Sequence, residues 1–164
     1  MKKGFSLIEI IVSVAIISIL SSIGVQVFTS SVQRARFESD VATVAQALRK
    51  AQNAALSPPI SEIFGTGAKA KLCSVGVRVD SSNKSIQPIY TSDSSTSTCN
   101  TQGNYSSSTI LTYVNIAYTN DTVNFNLPFA DSSGTTITLT SIYNASIKKE
   151  ITVTSAGLIK VSKI

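Results

Sequence analysis

Glu9 is the one charged residue between Lys3 and Arg34. A carboxylate set among apolar side chains has one obvious chemistry, which is to find a cation. Inside a lipid-spanning helix such a charge costs about 2.5–3.5 kcal/mol even on lenient insertion scales, so it implies a function and a partner. A candidate partner lies close in sequence. Gly4 is a small residue placed before the apolar run, and a cut after it would make Phe5 the first residue, with a new α-amino cation about one helical turn from Glu9. A second copy of the chain, staggered along the helix axis, could present that amine to the acid. Other chemistry is sparse. The chain has no His and two Cys, which removes the Ser-His-Asp triad, the Cys-His dyad and His-rich zinc sites. Glu62, Asp80, Asp93, Asp121 and Asp131 are scattered among turn residues, where Asp needs no catalytic reason. The sequence offers no catalytic residue, no metal site and no cofactor site.

The element that must carry Glu9 is long and apolar. From Ile10 to Phe28 run 19 uncharged residues. That matches the roughly 20 residues a helix needs to cross a bilayer and exceeds the 7–15 of a secretory h-region, and no A-x-A-like site ends the run. Lys2 and Lys3 precede it, and the next basic residue is Arg34. The positive-inside tendency puts the N-terminus in the cytoplasm and everything beyond Phe28 outside it. From Phe28 the pattern turns amphipathic without Gly or Pro. Phe37, Val41, Val44, Ala45, Leu48, Ala51 and Ala55 recur at spacings of three and four, predicting one buried face. Arg34 with Glu38 and Arg36 with Asp40 form i,i+4 pairs expected on the outward face. Ser57, Pro58 and Pro59 stop the helix. From Phe5 to Leu56 that makes one helix of about 78 Å.

KKGFSLIEIIVSVAIISIL resembles the class III signal of type IV prepilins and type II secretion pseudopilins. The resemblance covers residues 1 to about 56. It implies cleavage between Gly4 and Phe5 by a prepilin peptidase, N-methylation of Phe5 and an assembly role for Glu9. It further implies a helix that first anchors the subunit in the membrane and then forms the core of a filament. Partners implied are other pilin or pseudopilin subunits, the peptidase and methyltransferase, an inner-membrane assembly platform with its ATPase, and membrane lipid before assembly. One departure stands out: many major pilins have a kinking proline late in this stretch, and here Gln26 occupies roughly that place, with only Gly24 nearby to loosen the helix.

Beyond Ile60 the sequence shows short alternating runs between polar turns and reads as β-rich. Expected strands are Cys73–Val79, Ser85–Tyr90, Thr109–Tyr118, Thr122–Leu127, Thr135–Ser141, Ile147–Val153 and Leu158–Ser162, each with one wet face. In the last hairpin a three-residue connection, Ser155-Ala156-Gly157, pairs Val153 with Ile159 and Ile151 with Val161, whereas a two-residue turn sets Ile151 against Lys160. Lys148, Glu150, Thr152 and Lys160 then face away from the core. Thr91–Thr109 holds 12 Ser or Thr among 19 residues and is expected to be an exposed loop. Cys73 and Cys99 lie in the exported part, where disulfides persist, and are expected to bridge.

The organisation expected is therefore α+β: a leader at 1–4, a membrane and filament-core half-helix at 5–28, an amphipathic half-helix at 29–56, and an exported antiparallel β domain at 57–164. The long helix followed by an all-β domain with a short closing hairpin looks most like H-type pseudopilins and related minor pilins. That implies a non-enzymatic filament subunit, first single-pass in the cytoplasmic (inner) membrane and then in a periplasmic or cell-surface fibre. Two alternatives differ in class. A DNA-binding minor pilin needs a basic surface, yet without Lys2 and Lys3 the balance is 12 basic against 9 acidic residues, only +3. Of a Gly-Arg-x-Arg signal only Gly157 and Lys160 are matched. A tethered exported domain that never polymerises would leave Glu9 without a role and residues 1–4 in place.

Overall fold

The computed structural model describes residues 6–58, 71–93, 99 and 101–164. Two compact units divide at the middle of the helix, the first ending at Arg36 and the second running from Phe37 to Ile164. Helix α1 covers Leu7–Leu56. It stops where the sequence requires: Ser57 donates its backbone N–H to Asn53 O at 2.9 Å, and Pro58 follows. Gly4, Phe5 and Pro59 fall outside the described residues.

In the second unit the helix lays one stripe into the core. Phe37, Val41, Val44, Ala45, Leu48, Ala51 and Ala55 are all buried, the same seven that the three-and-four spacing selects. They belong to a single apolar cluster fed by two antiparallel sheets. The first sheet contains β1 (Lys71–Asp80), β2 (Ser85–Asp93), β3 (Thr101–Asn104), β4 (Thr109–Ile110), β6 (Thr122–Asn126) and β7 (Asp131–Ser132). Its order is β3-β2-β1-β6-β7, with β4 also pairing β2. The second contains β5 (Val114–Tyr118), β8 (Thr135–Ser141), β9 (Lys148–Val153) and β10 (Ile159–Lys163), in the order β10-β9-β8-β5. Val75, Val77, Val79, Val123 and Phe125 point inward from the first sheet, and Val114, Ile116, Ile137, Leu139, Ile151 and Val153 from the second.

Four expectations are corrected. Thr109–Tyr118 is two strands, because the chain changes sheets between them: Leu111 buries its side chain and donates its N–H to Lys84 O at 2.7 Å, then Tyr113 donates to the Asp40 carboxylate at 2.7 Å. Part of the Ser/Thr-rich stretch is strand, since β2 extends to Asp93 and β3 pairs Thr101–Asn104 against Ser92–Ile89, while residues 94–98 and 100 lie outside the described residues. The second face of β1 is covered too. Ser74 and Gly76 are buried there; Ser74 shares a hydroxyl hydrogen bond with Thr91, and a Cβ on Gly76 would lie 2.2 Å from Val123 O. The acids of the i,i+4 pairs turn toward the β domain. Glu38 pairs with Lys149 on β9, and Asp40 accepts from the Tyr113 amide.

The closing hairpin has the three-residue form. Ile159 faces Val153 and Val161 faces Ile151, with Gly157 at φ 78° supplying the left-handed residue. A side chain there would also meet Ala130 O at 2.4 Å, so sterics exclude one twice over. Gln52 of α1 donates to Gly157 O at 2.9 Å, fixing the turn to the end of the helix. Cys73 and Cys99 are joined by a disulfide with Cα atoms 6.1 Å apart. The chain-entropy model assigns a loop of that length about 3.5 kcal/mol of stabilisation.

Candidate assembly site

No described residue of the first unit is buried. Leu7, Ile8, Ile10, Ile11, Val12, Val14, Ile16, Ile17, Ile19 and Leu20 are each about half exposed or more, and Val25, Val27 and Phe28 likewise. An α-helix brings every side of its circumference round within two turns, so this unbroken run is apolar on all sides. Such a helix is stable only in lipid or against other apolar helices.

Its hydroxyl residues suit that setting. Ser13 donates to Glu9 O at 2.7 Å and Ser18 to Val14 O at 2.7 Å; Ser22 donates to Ile19 O and Ser30 to Val27 O, each at 2.9 Å. These four hydroxyls spend their protons on the preceding turn, so that none of the four presents an unmet donor. Glu9 sits in the first turn of α1, exposed, with its amide bonded to Ser6 O at 3.0 Å. A helix N-terminus favours an acid by a few tenths to about 1 kcal/mol, too little to offset the cost of burying that charge in hydrocarbon. Its carboxylate therefore calls for a cation in any apolar assembly.

The comparisons place this N-terminus. Residues 1–25 match the model of the prokaryotic N-terminal methylation motif. The β domain and helix resemble the minor pseudopilin EpsH from the Type 2 Secretion System of Vibrio cholerae, at 11% identity, covering 77% of this chain and 95% of that one with a TM-score of 0.54. They also resemble the type IV minor pilin FimU of Pseudomonas aeruginosa, at 11% identity, covering 79% and 90% with a TM-score of 0.50. The chain carries a prokaryotic N-terminal methylation motif and has a pilin-like fold. No curated protein matches its sequence.

In this pilin-like protein the other expected surface, the outer face of the closing hairpin, is mixed in charge. Glu150 accepts from the Thr152 hydroxyl at 3.2 Å between exposed Lys148 and Lys160. Lys149, on the opposite face of β9, is committed to Glu38. Sequence reasoning missed that pairing because the partners are 111 residues apart, and only the strand order brings β9 alongside the helix.

Proposed function

We propose that this protein is a minor pilin or pseudopilin, a non-enzymatic structural subunit of a type IV pilus-like or type II secretion filament. The observation that carries the proposal is the division of one helix into a segment apolar on every side and a segment buried along one stripe under a β domain, beneath a methylation motif. The first segment is solvated by lipid before assembly and by sister helices afterwards. The second fixes the cargo domain. Residues 1–4 act as a leader removed by prepilin peptidase, and Phe5 becomes the methylated N-terminus. Residues 5–28 span the inner membrane and then line the filament core. Residues 29–56 lead out of it, and 57–164 form the exported domain. Glu9 takes the α-amino group of Phe5 in a neighbouring subunit as its counter-ion, which sets the axial stagger. Peptidase, assembly platform and ATPase act on the chain, which contributes form rather than catalysis.

Intact mass of protein from sheared fibres tests this directly. The expected mass is that of residues 5–164 carrying one added methyl group and one disulfide. Assembled material that keeps Met1 overturns the processing scheme.

A further inference from the structure

We propose that the Phe37 end of the β domain is a docking surface for anionic phospholipid headgroups, occupied while the subunit waits in the bilayer. The inference rests on the reading of residues 10–28 as a membrane span.

Several chain segments converge at this end. The β8–β9 loop places Ile142 and Tyr143, both 41% exposed, beside Tyr113, whose ring stacks on that of Tyr143 with centroids 6.1 Å apart. Ile142 donates its amide to Tyr113 O at 3.2 Å, and Tyr113 donates its own to Asp40 on the helix. The loop is thereby tied to the first turns of the buried half of α1. Lys148 opens β9 next to it, exposed. β10 returns to the same end, where Lys163 lies opposite Lys149, followed by Ile164 at 61% exposure. The two acids that the helix brings here are already engaged, Glu38 by Lys149 and Asp40 by the Tyr113 amide. The outcome is a rim of Tyr and Ile side chains edged by lysines, the mixture that settles at a bilayer interface.

Covalent connectivity says why lipid is the occupant. Between Phe28, at the end of the apolar run, and Phe37, the first residue of the described core, lie residues 29–36, eight in all. Fully extended they reach about 28 Å, and as helix about 12 Å. Whatever the angle between the two parts, this end of the domain stays within reach of the headgroup layer. Arg34 and Arg36, both exposed, lie on the tether itself. Each cation near an anionic surface adds an attraction that salt screens within a Debye length. A second copy of this chain meets the patch with the same sign of charge, whereas anionic lipid meets it with the opposite one.

The chain has no Trp, so one introduced indole is an unambiguous reporter. The full chain carrying Tyr143→Trp is inserted into phosphatidylcholine vesicles with or without phosphatidylglycerol. Phe129→Trp, at a position 83% exposed on the β6–β7 turn, serves as reference. The Tyr143→Trp reporter is expected to shift to the blue and resist iodide quenching in anionic vesicles, reversibly with salt, while the Phe129→Trp reporter stays quenchable in both. Replacing Lys148 and Lys163 by Gln lowers the docked population about fivefold per cation. Ile142→Trp gives the same readout should the Tyr143 substitution disturb the ring stack.

Carbonate-resistant protein whose Tyr143→Trp and Ile142→Trp reporters are both as quenchable as the reference overturns the proposal while leaving the membrane span intact. Shielding that follows protein density and ignores lipid charge also overturns it, by assigning the patch to a second copy. Release of the chain by carbonate refutes the span itself, and the docking with it.

Discussion

Replacing Glu9 by Ala separates two properties that most damaging substitutions change together. The variant removes a charge that costs about 2.5–3.5 kcal/mol in hydrocarbon, so it enters the bilayer at least as readily as the parent. It also removes the counter-ion proposed for a neighbour's Phe5 amine, so fibre recovered by shearing falls below detection at unchanged membrane level. Fibre yield equal to the parent's rejects the pairing. Glu9 and its apolar surroundings are legible in sequence because both signals are local, whereas the partner of Glu38 is not, because a strand far along the chain supplies it. Asp80 gives a second residue-scale prediction. Its carboxylate accepts hydrogen bonds from the Asn83 backbone N–H, the Asn83 side-chain amide and the Ser82 N–H, which hold its pKa below the ordinary 3.8. Bonds made to the ionised form favour that form. The support they give the β1–β2 turn is therefore complete above 3.8 and is lost as pH falls through the lower folded value. Solution NMR is expected to show the Asn83 amide titrating with a midpoint below 3.8; a midpoint at or above that value rejects the arrangement.

Among elements, the helix is the most readable and the sheet edges the least. Seven buried helix positions follow from a period of 3.6, and the closing hairpin follows because Val153, Ile151, Ile159 and Val161 admit one register that keeps apolar partners together. β3 carries no such pattern. Thr101–Asn104 pairs because β2 offers an edge, and a side chain on Gly103 would sit 2.5 Å from atoms of the Tyr90 ring, a fit that no local rule announces. The break inside Thr109–Tyr118 is equally non-local, since it depends on Lys84 and Asp40 receiving the two amides that leave the sheets. Packing and pairing also differ in energetic weight. Leu48→Ala empties a fully buried site and is expected to lose about 2–5 kcal/mol of unfolding free energy. Lys149→Ala breaks a partly exposed ion pair and is expected to lose about 1 kcal/mol or less. Denaturant titrations of the two variants, followed through the tyrosine near-ultraviolet signal, check the ranking. Equal losses would mean that the helix is held chiefly by its polar contacts.

On the scale of the whole molecule, the apolar cluster of the β domain begins at Phe37 and, among the described residues, includes none from the segment before it. Among the described residues, the first unit holds most of the exposed large apolar side chains. The sequence shows that asymmetry as a switch from uniform to one-sided apolar patterning after Phe28. The split into two sheets is hidden, because it depends on which strand pairs with which. A chain starting at Thr29 should therefore keep its stability while losing its need for a bilayer. It is expected to be soluble without detergent, to run as a monomer in size exclusion, and to unfold cooperatively at the same denaturant midpoint as the full chain in micelles. On the proposed function the same deletion removes the apolar helix surface and Glu9 together, and is expected to abolish entry into a fibre. A midpoint lowered by the equivalent of several kcal/mol would mean that the first unit supports the second, and the β domain could no longer be described as folding independently of the apolar half of the helix.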